Sequence, residues 1–370
     1  MPEKWAPQTQ LKRGFCTWLR ETVHAETEVV NQMSRTMENE RETARSARKA
    51  SGRFAAVASA VMREYGIVVA FVILFVILAL ASSYFLTERN LLNVLQQTAV
   101  NGLLAIGMTF VILTGGIDLS VGSILAFSGV VSASFASSAN FGHSSPAIVA
   151  ILFGLLSGLV LGMVNGVLVA RWRVPAFVVT LGMLSIARGL TFIYTNGMPI
   201  PNIESQFLFI GQGFVARIPF AVIVFAFVYI VAWVVLYRTR FGRYVYAVGG
   251  NEKSARISGV NTRLIMFVVY GISGILAGLG GIILTARTTA GLPQAGTSYE
   301  LDAIAAVVIG GASLAGGQGK LVGTLFGALI IGVINNGLDL LHVSSYYQQV
   351  IKGLIIIGAV LLDSLRKKEE

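Results

Sequence analysis

Residues 147 to 170 read AIVAILFGLLSGLVLGMVNGVLVA, 24 residues without a charge. At 1.5 Å per residue a helix of this length reaches about 36 Å, enough to cross a hydrocarbon core of about 30 Å. Gly154, Gly158, Gly162 and Gly166 recur every fourth residue, which puts them on one helix face and lets a second backbone approach closely. Gly274 with Gly278, and Gly323 with Gly327, repeat the spacing more briefly. Packing explains these glycines better than a direct ligand role. The stretch predicts one helix of a compact membrane bundle.

The whole chain has the same character. It is 55% hydrophobic and 12% charged over 370 residues, with mean hydropathy +0.73, whereas soluble domains carry about 25% charged residues. Apolar segments long enough to be spans fall near 66–86, 91–114, 118–138, 147–170, 175–195, 218–237, 264–286, 301–315, 319–338 and 346–363. The expected fold class is therefore all-α, a polytopic bundle of about ten transmembrane helices. The segment "LDAIAAVVIGGASLAGGQGK" (301–320) has only a short apolar run before its glycines, so a shortened or re-entrant helix is also open there.

Basic residues orient the bundle. Lys and Arg gather in cytoplasmic loops. Arg171 and Arg173, then Arg238, Arg240, Arg243, Lys253, Arg256 and Arg263, then Lys320, then Arg366, Lys367 and Lys368 alternate with segments that hold only Arg89, Arg217 and Arg287. Both termini are expected in the cytoplasm, and the net charge of +10 is largely a matter of topology. It does not point to nucleic acid, because no stacking surface accompanies the basic residues.

Residues 1–64 form a polar extension with no signal-peptide core, ahead of a membrane part over 65–365 and a tail at 366–370. Phe54, Val57 and Val61, flanked by Arg53 and Arg63, have helical spacing suited to a membrane surface; a partly disordered tail is the plainer expectation. The single cysteine, Cys16, excludes an intrachain disulfide. His24, His143 and His342 lack ligand spacing, so no metal site is expected.

Enzyme signatures are missing. "LAGGQGK" lacks the first Gly and the final Ser or Thr of a phosphate loop, having Leu314 and Leu321 there. No HExxH and no intramembrane Ser, His and Asp set occurs. What remains is polarity inside the spans: Asn101, Thr109, Thr114, Asp118 and Ser120; Asn165, Thr180, Ser185 and Arg188; Asn335, Asn336, Asp339 and Gln348. A charge in the membrane costs about 2.5 to 3.5 kcal/mol on insertion scales and needs a cavity or a partner. For the amides, interhelical hydrogen bonding and pathway lining both stay open.

Asp118 lies in "FVILTGGIDLSVGS" (110–123), between the second and third segments. Its carboxylate is placed to cap the third helix through the amides of Ser120 or Val121, with Gly115 and Gly116 permitting the turn before it; a gate beside a solute path is the alternative. "LTGGIDLSVG" (113–122) is faintly similar to "VIGGASLAGG" (308–317), pairing Gly115, Gly116, Leu119 and Gly122 with Gly310, Gly311, Leu314 and Gly317. Such repeats occur in transporters. The longest polar loop, 238–263, holds a short helix around Glu252 to Ser258 that could dock on a soluble partner; a merely solvated loop is the alternative.

"GIDLSVGS" (116–123), "GRYVYAVGGNEKSARISGV" (242–260), "SYELDAIAAVVIGGASLAGGQGK" (298–320) and "GTLFGALIIGVINNGLDLLHVSSYYQQVIKG" (323–353) resemble the permease family of bacterial sugar ABC importers, most nearly its ribose permeases. The resemblance covers about 65–365. It implies an inner-membrane transport subunit, without catalysis or cofactor of its own, that carries a monosaccharide, ribose or a similar pentose. It further implies a second permease copy in a homodimer, cytoplasmic ATP-binding subunits that use ATP, and a periplasmic sugar-binding protein. On this resemblance Gly242, Gly249, Asn251, Glu252, Ala255 and Gly259 belong to the segment coupled to the ATP-binding subunit, while Asn101, Thr114, Asp118, Ser120, Asn335 and Asn336 are candidates for pathway or gate. Relatives for xylose, galactose, inositol and signalling furanosides share these signatures, and the long extension departs from the family's short tail. A stand-alone channel or secondary carrier is the competing class, weakened by the docking-type loop.

Overall fold

The structure, a computed structural model, describes residues 66–138 and 145–369, together with 18, 24, 27–28, 32–37 and 39, and leaves the side chains of 359 and 362–369 undescribed. The surface helix expected at Phe54, Val57 and Val61, the thiol of Cys16, His143, and the side chains of Arg366, Lys367 and Lys368 lie outside the described residues. The chain divides into two units, Met1–Gly66 and Ile67–Glu370. The described residues of the first are short pieces of helix.

The second unit is helical: α1 (Gly66–Ala81), α2 (Glu88–Leu113), α3 (Val121–Ala136), α4 (Ala147–Trp172), α5 (Ala176–Thr195), α6 (Ser205–Gln212), α7 (Phe220–Arg238), α8 (Arg240–Gly250), α9 (Glu252–Ile257), α10 (Thr262–Thr288), α11 (Tyr299–Ile309), α12 (Leu321–Leu340) and α13 (Ser345–Glu369). Local chemistry sets many of the starts. Thr87, Thr239, Asn251 and Asn261 each accept the amide three residues on with their side chain, satisfying a donor that the first helical turn leaves unpaired. Pro146, Pro175 and Pro219 stand at the entrances of α4, α5 and α7, where a missing N–H costs no helical bond. A two-residue hairpin, β1 (Phe214–Val215) with β2 (Ile218–Pro219), turns through Ala216 at φ 49° and Arg217 at φ 67°, the left-handed pair that suits the twist of a tight hairpin.

Each of the ten expected segments holds a helix. Among the described residues, six helices are by length and composition able to cross a membrane (α2, α4, α5, α7, α10 and α12), and α1 and α3 are shorter apolar helices. Between 301 and 320 the shortened form is found: α11 has 11 residues, about 16 Å of helix, and falls short of a bilayer core.

The glycine spacing has a specific partner. α4 packs on α10, and the two stripes predicted separately face each other: a methyl on Gly158 would come 2.5 Å from the carbonyl oxygen of Gly274, and one on Gly162 would come 2.8 Å from the α carbon of Gly274. Gly278 faces the carbonyl of Gly154 in the same way. Gly323 and Gly327 bring α12 against the backbone of Gly310 and Ala306. α2 is buried along nearly all of its last sixteen residues, whereas α7 exposes Phe227 and Ile230, the all-round apolar surface that lipid covers.

α2 and α11 end alike. Gly115 (φ 81°) and Gly311 (φ 85°) are left-handed. Gly115 and Gly116 donate to Ile112 and Val111, and Gly311 and Ala312 to Val308 and Val307, the same double closure of a helix end. The correspondence therefore pairs Gly115 with Gly311, one residue out of the register expected from sequence, because the left-handed position and not the first glycine of each pair marks the turn.

Candidate functional site

Asp118 is fully buried. Its Oδ1 accepts the amide of Ser120 at 3.0 Å and the Ser120 hydroxyl at 2.5 Å, and its Oδ2 accepts the hydroxyl of Ser273 at 2.8 Å. Asn165 donates to Ser120 Oγ at 2.8 Å. The carboxylate thus joins the α2–α3 turn to α4 and α10. The expected bond to Ser120 is present, but Ser120 itself occupies the cap position of α3, and the tie to Ser273, 155 residues away, has no local signal in the sequence.

Among the other expected pathway residues, Asn336 and Asn90 exchange amide hydrogen bonds between α12 and α2 at 2.8 and 3.0 Å, whereas Thr114 donates to Val111 O at 2.8 Å within the end of its own helix. Asn101 is buried with its side-chain oxygen unpartnered. Asn335 donates to Asp302 at 3.1 Å, and Lys352 closes an ion pair with the same oxygen of Asp302 at 2.9 Å. Asp302 and Lys352 went unremarked in the sequence reading, although a carboxylate in 301–315 and an ammonium in 346–363 are the charges that insertion costs single out.

The segment 238–263 is built as a folded corner. Gly242 lies against the carbonyl of Leu236, where a side chain would overlap it. Asn251 caps α9, and Glu252 accepts the Thr262 hydroxyl at 3.2 Å. Ala255 points into the core, while Ile257 is 88% exposed. Gly259 closes α9 at φ 85°, a conformation costly for other residues. Arg173, Glu252, Lys253, Arg256 and Ile257 line an open groove on this corner.

Three backbones meet at Gly249. Gly317 N donates to Leu113 O at 2.9 Å, and Gly249 fits so closely that a methyl on it would overlap Leu113 O and lie 2.5 Å from Gly317 N. Tyr246 donates to Gly319 O at 2.8 Å; burial, above all, raises its pKa and keeps it a donor. The Leu321 amide donates to Tyr237 OH at 2.9 Å. The α8–α9 corner is consequently fastened to the turn after α2 and to the turn before α12.

Comparison with known proteins gives the family. Residues 90–360 match the family described as branched-chain amino acid transport system / permease component. The chain is 49% identical to the ribose import permease protein of Escherichia coli (strain K12) over 83% of this chain and 95% of that protein. It is 48% identical to the ribose import permease protein of Bacillus subtilis (strain 168) over 83% and 94%, and 41% identical to the D-allose transport system permease protein of Escherichia coli (strain K12) over 78% and 88%. No solved structure matches it. A multi-helix membrane chain matched over nearly all of such relatives belongs to this family of transport permeases, as one of its membrane-spanning subunits.

Proposed function

We propose that the chain is the membrane-spanning permease of an ATP-driven importer for a monosaccharide, ribose or a similar pentose, working in the bacterial inner membrane. The observation that carries the reading is the α8–α9 corner: an exposed Ile257 with Lys253 and Arg256 around a groove, with Gly249 packed on Leu113 and Gly317 and Tyr246 bonded to Gly319 O. An apolar knob with a basic rim suits docking on a soluble partner, and motion of the corner is passed to α2 and α12 together. Gly242, Gly249, Asn251, Glu252, Ala255 and Gly259 shape the corner, while Ile257, Lys253 and Arg256 make the contact.

In this reading ten segments cross or enter the membrane and both termini are cytoplasmic, with 1–64 an extension, 65–365 the permease and 366–370 a tail. ATP is used by a separate ATP-binding subunit, a periplasmic binding protein delivers the sugar, and a second copy completes the pathway. Closure of the ATP-binding subunits tilts the helices between inward-open and outward-open states. Asp118, Ser120, Asn335 and Asn336 serve as polar joints between the helices that move, and Asn101 and Thr114 as residues of the pathway or gate. The test is reconstitution: the chain with its ATP-binding subunits and binding protein in vesicles takes up labelled ribose when ATP is present. Uptake by the chain alone, without ATP, overturns the reading.

A further inference from the structure

The chain between α10 and α11 does not stay at the end of the bundle. Gly291 lies against Ala133 and Val130 near the end of α3, yet Gly296 lies against Gly122 in its first turn, with a methyl there 2.5 Å from the Gly122 carbonyl oxygen. Residues 291–298 therefore run back along α3, and α11 starts beside its first turn. α5 flanks the same length of α3: Thr180 donates to Ile117 O at 3.1 Å, and Tyr194 pairs with Ser134 at 2.6 Å. Between those two contacts α5 presents Arg188, whose Nη1 donates to Pro293 O at 2.7 Å and to Ala295 O at 2.9 Å.

Arg188 sits seven residues from the end of α5, about 10 Å along the helix, too deep for a charge placed only to reach the headgroups. One nitrogen suffices for both carbonyls, so Nη2 and Nε are not used on any described acceptor. Its electrostatic counterpart is Glu300, whose carboxylate rests on Gly122, where no side chain intervenes. The two do not close on each other: among the described residues the ion pair is Lys352 with Asp302. Both are part-exposed, and Gln294 and Thr297 are exposed beside them.

We propose that Arg188 and Glu300, set across the re-entrant segment 291–298, form a binding site for sugar hydroxyls on the translocation path. A hydroxyl accepts from a guanidinium and donates to a carboxylate at once, so one sugar hydroxyl bridges the pair, and Gln294 and Thr297 offer further partners to its neighbours. The site needs no net charge on the solute. Two opposite charges on one site would also hold a zwitterionic amino acid, which the experiment separates. This inference rests on the importer reading above.

The test uses the full complex with its ATP-binding subunits and binding protein in vesicles, with ribose and leucine as the probes. Arg188→Gln and Glu300→Gln are each expected to lower ribose flux about tenfold, the loss typical of a hydrogen bond to a charged group, while ATP hydrolysis stimulated by the binding protein persists. In a Cys16→Ser background, Thr297→Cys is expected to react with a water-soluble maleimide and to be protected by ribose. Normal ribose flux in both Gln variants, or labelling of Thr297→Cys that ribose does not slow, overturns the site. Should a Gln variant fail to assemble, the labelling result decides. Failure of the wild-type complex to move ribose, or its movement of leucine instead, overturns the importer reading rather than this site alone.

Discussion

The amide of Gly317 donates to the carbonyl of Leu113 at 2.9 Å, and Gly249 is pressed against both. Because Gly250, next in sequence, has open space where a side chain would stand, the two glycines make an internally controlled pair. Gly249→Ala forces the Leu113 and Gly317 backbones apart and is expected to lower the melting temperature of the purified complex and its sugar uptake together. Gly250→Ala is expected to stay within about twofold of the wild type, as surface changes usually do. Uptake assays on both variants check this, and equal behaviour of the two would show that the junction is not tight.

Removal of the Asp118 carboxylate leaves the Ser120 amide and the Ser273 hydroxyl without their acceptor. Each buried donor so stranded costs about 1 to 3 kcal/mol, and Asp118→Ala is expected to show this as a lower melting temperature in detergent. Asp118→Asn keeps one acceptor oxygen and loses less. Ser273→Ala added to Asp118→Ala costs little more than Asp118→Ala alone, since one bond is being removed twice. A full additional loss in the double variant would mean that Ser273 has another role.

These two sites show how far the sequence carries. The Gly158 and Gly274 contact was legible as two stripes, because spacing every fourth residue reports a helix face without naming its partner. The Ser120 half of the Asp118 site was legible because a cap is a local device. The Ser273 half was not, nor was the packing of Gly249 on Leu113, since both depend on how distant segments approach. Asp302 and Lys352 carried a readable signal in their charge, but the partner of each is 50 residues away. Apolar periodicity located the helices, and the short apolar run before Gly310 and Gly311 already left room for α11 to stop after 11 residues; where its end packs, against Gly323, has no local signal.

The Asp302 and Lys352 pair, with side chains 2% and 16% exposed, ties α11 to α13, and Asn335 completes the set from α12. Removing one partner of a buried pair leaves an uncompensated charge and costs about 3 to 5 kcal/mol, whereas replacing both with apolar groups is often neutral. Lys352→Met and Asp302→Leu are each expected to reduce the amount of folded protein recovered from membranes, and the double variant is expected to recover it. Recovery in the double no better than in either single variant would make Asp302 important for something besides Lys352.

Docking at the α8–α9 corner is best probed where the side chain faces outward. Ala255 is 6% exposed and Ile257 88%, so a bulky residue at Ala255 disturbs the corner itself, whereas Ile257→Ala removes contact area and leaves the fold alone. A central apolar anchor is typically worth about 2 kcal/mol, about thirtyfold in affinity. Ile257→Ala is expected to weaken copurification of the ATP-binding subunit by that order. Arg256→Glu, on the rim of the groove, is expected to slow association and to make it less sensitive to salt. Phe227→Ala, exposed on α7, serves as the control because lipid covers that face. Copurification lost in the Phe227→Ala control as readily as in Ile257→Ala would assign the effect to general instability and remove the corner as the docking site.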